Sequence, residues 1–167
     1  MMHESEYVFA YGSNMDPAQI RERCPESDLS WFIAEAKGWE LCFPRRSQKR
    51  KGGVASIRKA DDSSVWGVIF GVTPRDLQRL DGFEGVALGS YRRDRIDVKN
   101  QEGIPYKVWT YFANPQGGEK YRPHEDYMEL LIKGAKYFEL PGDYIGKLKS
   151  IKTKKGRKTK LRTGRQN

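Results

Sequence analysis

A chain of 167 residues is long enough for one domain whose core needs no disulfide or metal staple. Apolar residues make up 37% and charged residues 32%, the balance of an ordinary soluble globule, and no apolar run approaches the roughly 18 residues of a membrane span. The formal net charge of +9 is unevenly placed: Lys147 to the end holds ten Lys or Arg and no acid, while residues 1–146 hold 21 basic and 22 acidic residues and are nearly neutral.

In chain order, YVFAY from Tyr7 reads as a first strand, followed by the polar turn Gly12-Ser13-Asn14. MDPAQIRERC reads as a short helix, with Asp16 as its cap, Pro17 in its first turn and Pro25 ending it. WFIAEAKGWELCFP alternates loosely and predicts a strand pair broken near Gly38. RRSQKRKGG is a basic, glycine-ended loop. VASIRK and VWGVIFGV predict two strands around a turn at ADDSS, the second apolar on both faces and therefore central in the sheet. TPRDLQRLDGF is a helix with Thr73 as its cap, Pro74 at its first position and Asp76 at its positive end. YRRDRIDVK and YKVWTYFA are two further strands. In YRPHEDYMELLIKGAKYFEL, Met128, Leu131, Ile132 and Ala135 recur at helical spacing and give one buried face.

The order β, α, several β, α, β, β, α predicts an α+β fold, a small mixed, barrel-like sheet flanked by helices, rather than the regular alternation of a Rossmann fold. Residues 1–146 are expected to form the folded domain, and residues 147–167, with few apolar side chains to bury, a flexible basic tail.

Three places have the residues for chemistry. A Gly-Ser-Asn turn between a strand and a helix can align several N–H groups into a nest that attracts carboxylate or phosphate; the plainer alternative is that Gly and Asn merely permit the turn. In LDGFEGV, Glu84 follows a helix directly and precedes Gly85, the usual glycine position at a helix end. A carboxylate there faces the negative end of the helix dipole, so folding does not ask for it. In a partly apolar pocket beside Phe83 and Val86 its pKa would rise toward neutrality, the condition for shuttling a proton; a solvated surface glutamate is the alternative. Asp81, in the last helical turn, is the weaker rival. Tyr91 and Tyr127 are placed to offer phenols at the edge of an apolar pocket or simply to pack. Cys24 and Cys42 lack CxxC spacing, and His3 and His124 complete no cluster, so neither a metal nor a cofactor is indicated and reduced thiols in a cytoplasmic protein are expected.

FAYGSNM, GGVASI, VWGVIFGV, LDGFEGV, YRRDRIDV and LIKGAKYFELPGDYIGKLKSI, in that order, resemble the γ-glutamylcyclotransferases and their avirulence-induced-gene-like and γ-glutamylamine cyclotransferase relatives. The likeness spans roughly Tyr7 to Ile151. It implies a barrel-like sheet with a cavity at the YGSN turn, and an intramolecular reaction. The α-amine of a γ-glutamyl group attacks its own γ-carbonyl, 5-oxoproline forms and the amine partner leaves. The resemblance puts the acid/base glutamate at Glu84, the substrate-binding turn at Tyr11, Gly12, Ser13, Asn14 and Met15, and pocket tyrosines at Tyr91 and Tyr127. A γ-glutamyl amino acid or γ-glutamylamine is the implied partner, with no cofactor and no membrane.

The basic loop Pro44–Gly53 departs from that pattern. If it borders the cavity it selects an acidic or phosphorylated leaving group; if it points outward it is solvated surface. Two other readings remain. The body is a scaffold and the tail binds nucleic acid or anionic surfaces without reading sequence, since it has no aromatic residue to stack on bases. Or the pocket transfers its acyl group to an outside amine.

Overall fold

The computed structural model of the protein describes residues 5–115 and 120–155. Five strands, β1 (Glu6–Ala10), β2 (Trp31–Ser47), β3 (Gly52–Val72), β4 (Tyr91–Asn100) and β5 (Pro105–Ala113), close into a barrel whose neighbours run β1, β3, β2, β4, β5. All pairings are antiparallel except the seam, where Val8 of β1 lies parallel to Trp109 of β5. The expected mixed, barrel-like sheet is therefore what forms. The apolar run VWGVIFGV sits between β1 and β2, and Val65, Val68, Ile69, Phe70 and Val72 are all buried.

The strand boundaries differ from the sequence reading in one instructive way. The predicted break at Gly38 and the predicted turn at ADDSS are both kinks inside continuous strands. Lys37 pairs with Ser64 and Trp39 with Lys59, so Gly38, at φ 83°, stands opposite residues 60–63. A glycine in the left-handed region and a polar bulge facing it bend the two strands together without cutting the ladder. Past the kink β2 and β3 continue as a hairpin that ends at residues 48–51, and Arg45–Ser47 and Gly52–Gly53 of the expected loop are paired strand.

Four helices lie outside the sheet. In α1 (Pro17–Arg23) Asp16 Oδ2 accepts from Gln19 N at 3.2 Å, and in α2 (Pro74–Phe83) Thr73 Oγ1 accepts from Asp76 N at 3.1 Å, so both predicted caps form. α3 (Glu125–Tyr137) starts at a His124 cap and buries Met128, Leu131 and Ala135, with Ile132 partly covered. Its Gly134 lets the helix close on the turn after β1: a Cβ there would lie 2.3 Å from the Met15 carbonyl oxygen.

α4 (Gly142–Lys149) corrects the expected boundary at residue 146. Lys147 and Lys149 are helical, Leu148 is buried and Ile151 packs on the core. Lys154 bonds both sides of the α3 start, donating to Pro123 O at 2.8 Å and accepting from Glu125 N at 3.0 Å. The few apolar residues of this stretch are enough to dock it: Leu148 is buried on α4, and Ile151 packs on the core just past the helix end. The nucleic-acid reading rests on residues 147–167, of which 156–167 lie outside the described residues. Among the described residues no helix is long and apolar enough to cross a membrane.

Candidate active site

β1 ends at Ala10, and the chain then makes one 3₁₀ turn, Ser13–Met15, before α1. Met15 N bonds Gly12 O at 3.0 Å and Asp16 N bonds Ser13 O at 2.9 Å, which leaves the amides of Ser13 and Asn14 without an acceptor in the turn. The turn borders a cavity of about 560 Å³ whose lining includes Tyr11, Gly12, Ser13, Asn14, Glu84, Tyr91 and Tyr127. Seven of the eight residues singled out from the sequence thus meet at one place. Met15 does not: it is fully buried beneath α3, its backbone against Gly134. It supports the turn from behind instead of facing the cavity.

Glu84 arrives at the end of α2. Its N–H closes the last helical bond to Leu80 O at 2.9 Å, and Gly85 leaves in the left-handed region at φ 65°. Its side chain lines the cavity and is only 16% exposed, so the solvated-surface alternative fails. Burial raises its pKa above the ordinary carboxylate value. The nearby Arg23 guanidinium, a hydrogen bond from Asn14 and the charge of Arg50 oppose that rise, and Asp81 adds to it.

The bond from Asn14 is directional. Its Oδ1 accepts from Gln19 Nε2 at 3.0 Å and from Arg23 Nη1 at 3.1 Å, which turns Nδ2 toward Glu84 Oε1, 3.1 Å away. Gln19 also donates to Ser13 Oγ at 2.9 Å and accepts from Arg50 Nη2 at 2.7 Å. Arg23 stands 3.9 Å from Glu84 Oε1 and lies over the Phe83 ring. Sequence reasoning missed Gln19 and Arg23. The signal was present in their i, i+4 spacing, which puts both on one face of the helix that follows the turn.

The tyrosines differ in what they can still do. Tyr91 OH donates to Ala55 O at 3.0 Å, whereas Tyr127 OH accepts from Ala55 N at 2.9 Å and keeps its own proton for the cavity. Burial raises the pKa of both, Tyr127 to about 12, so each stays a neutral phenol. Tyr127 OH lies 3.5 Å from where a Cβ on Gly12 would be, directly against the turn. Tyr11 donates to Tyr111 O and is spent on the barrel wall. Asp81, the rival carboxylate, is engaged by Tyr111 OH at 2.7 Å and Arg93 Nε at 2.9 Å, and does not line the cavity. The hairpin residues Arg45, Arg46, Lys49 and Arg50 do, so the basic loop borders the cavity after all. Among the described residues no three His, Cys, Asp or Glu side chains gather as a metal ion requires.

A sequence model of the AIG2-like family matches residues 64–148, the stretch that carries Glu84, Tyr91 and Tyr127. Human γ-glutamylcyclotransferase is 33% identical over 152 residues, covering 89% of this chain and 79% of its own length, and the bovine protein matches to the same extent. The chain belongs to the γ-glutamylcyclotransferase family. A solved structure of a γ-glutamyl cyclotransferase superposes with a TM-score of 0.84 at 32% identity, covering 90% of each chain. The family's barrel accounts for the order of the motifs: strand, turn, hairpin and helix end are far apart in sequence and adjacent around one cavity.

Proposed function

We propose that the protein releases 5-oxoproline from a γ-glutamyl compound, with Glu84 carrying the proton. The observation behind this reading is a single sheltered carboxylate, oriented by Asn14, that shares with the Gly12–Asn14 turn a cavity large enough for a γ-glutamyl conjugate. The substrate supplies its own nucleophile, so no serine or cysteine is needed, and intramolecular attack starts from a high effective concentration.

At neutral pH the α-amine is an ammonium and cannot attack. Glu84, as carboxylate, takes one proton. The freed nitrogen adds to the γ-carbon, the new C–N bond closes a five-membered ring, and the bond from the γ-carbon to the departing nitrogen breaks. Glu84 returns its proton to that nitrogen. The ring nitrogen loses a second proton, which ends on the released amine as it becomes ammonium. No water is consumed. A carboxyl whose pKa is raised by burial performs both transfers with a small energetic mismatch. The amides of Ser13 and Asn14 hold the substrate's negative charge, and the Tyr127 phenol donates beside them.

The test is incubation with γ-glutamyl dipeptides and γ-glutamylamines, reading 5-oxoproline by mass. Release by the wild type and loss in Glu84→Gln supports the reading. Equal and negligible release by both across the panel contradicts it.

A further inference from the structure

The cavity carries more positive charge than this reaction requires. Arg23, Arg45, Arg46, Lys49 and Arg50 line it, against the single carboxylate of Glu84. A γ-glutamyl group brings one carboxylate and one ammonium and is itself neutral overall. Arg23 is committed to Asn14 and Glu84. The other four cations all come from the end of the β2–β3 hairpin.

Arg45 and Arg50 are not in direct ion pairs among the described residues, although the charge of Arg50 is felt at Glu84. Among the described residues no carboxylate lies within 4.0 Å of Arg45 or Arg50; Arg45 donates to the neutral Ser90 Oγ at 3.1 Å, and Arg50 to Gln19 Oε1 at 2.7 Å with its guanidinium 5.8 Å from the Tyr127 ring centre. Both are half-buried, unlike a solvated surface arginine. They bracket the proposed reaction centre. Ser90 N bonds Gly85 O, next to Glu84, so Arg45 reaches that side. Gln19 bonds Ser13 and Asn14, so Arg50 reaches the turn.

The hairpin that carries them is held in place. Within its end, Lys51 N bonds Gln48 O at 3.1 Å and Arg50 N bonds Ser47 Oγ at 3.2 Å. At its base Tyr121 N bonds Phe43 O and Gly53 N bonds Arg122 O, each at 2.9 Å. Gly53 is so close to that segment that a Cβ would lie 2.2 Å from Tyr121 O. Positive charge fixed in this way costs little further ordering when an anion arrives. The exposed lining residues are Arg46, Gln48 and Lys49 of the hairpin and Gly82, Phe83 and Leu88 beside Glu84, so the mouth lies between the hairpin end and Glu84, and a substituent on a nitrogen departing at Glu84 would leave past the hairpin.

We propose that the end of the β2–β3 hairpin is a leaving-group subsite, with Arg45 and Arg50 as its anion-binding residues. It selects γ-glutamyl conjugates whose departing amine bears a further carboxylate or a phosphate in addition to its own α-carboxylate. Arginine suits both anions, because its planar fork matches their paired oxygens. This subsite rests on the γ-glutamyl reading given above.

The experiment compares kcat/KM for two matched pairs, γ-glutamyl-glutamate against γ-glutamyl-glutamine and γ-glutamyl-phosphoserine against γ-glutamyl-serine. The anionic member of at least one pair is expected to be favoured about tenfold or more, as charge-assisted hydrogen bonds allow. The favoured pair then tells carboxylate from phosphate. In Arg45→Gln/Arg50→Gln the ratio within that pair falls toward one, whatever happens to the absolute rate, and in the wild type it shrinks with added salt. Wild-type ratios near one in both pairs, or a ratio that survives the double substitution, overturn the subsite while 5-oxoproline release from the neutral members leaves the reaction standing. No release from any of the four overturns both.

Discussion

Asn14 and Glu84, 70 residues apart in sequence, meet in a hydrogen bond of 3.1 Å whose direction is fixed by Gln19 and Arg23 on the other side of the same amide. The bond favours the ionised carboxylate and so works against the burial that raises its pKa. Asn14→Ala removes that restraint. The acidic limb of the pH profile for kcat/KM is then expected to move to higher pH, because the carboxylate form needed to accept the first proton appears later. A limb that stays in place would show that Asn14 does not face the ionised group.

The same burial has a consequence for stability. A carboxyl whose pKa is higher in the folded than in the unfolded chain favours folding most when protonated, below its unfolded pKa near the ordinary value of 4.5, and loses that contribution as pH rises through the folded value. Glu84→Gln stays neutral at every pH. Thermal unfolding is therefore expected to show the variant more stable than wild type at pH 7 to 8, with the advantage vanishing below about pH 4.5. A variant less stable at neutral pH would mean that Glu84 is held by stronger partners than Asn14, Arg23 and Arg50.

Tyr91 and Tyr127 end on the two backbone polar groups of one residue, Ala55 O and Ala55 N. Tyr127→Phe leaves the Ala55 amide without its acceptor and takes a donor from the cavity. It is expected to cost about 1–3 kcal/mol in denaturant unfolding and to lower kcat. Tyr91→Phe leaves a carbonyl that tolerates the loss better, and its effect on kcat is expected to be the smaller. Equal kcat for the two variants would contradict the donor role of Tyr127.

Much of this arrangement can be read from the sequence, and what cannot has physical reasons. Caps at Asp16 and Thr73, the glycine after Glu84 and the apolar face of α3 are local signals, and all appear in the fold. Gly38 and the ADDSS stretch mislead because a kink and a turn use the same residues; only the partner strand decides which forms. Met15 misleads because the turn has two faces, and the approach of Gly134 decides which one each residue takes. The place of the basic hairpin depends on Tyr121 and Arg122, nearly 70 residues further on, and no local pattern records it.

Gly134 is itself testable. The Met15 carbonyl leaves no room for a methyl group, so Gly134→Ala must push α3 off the turn. A loss of about 1–3 kcal/mol in unfolding free energy is expected, the scale of overpacking in a dense core. Activity should fall with it, since Tyr127 and Ser13–Met15 are displaced relative to each other. A variant as stable and active as wild type would show that the turn and helix are not rigidly coupled.

The most direct measurement is 5-oxoproline release by wild type and Glu84→Gln, compared under conditions where both are folded by circular dichroism. The proton-carrying role of Glu84 predicts a fall in kcat of about 100-fold or more, the scale of removing a general acid/base, with KM changed much less. A variant that keeps within a few-fold of wild-type kcat would contradict it.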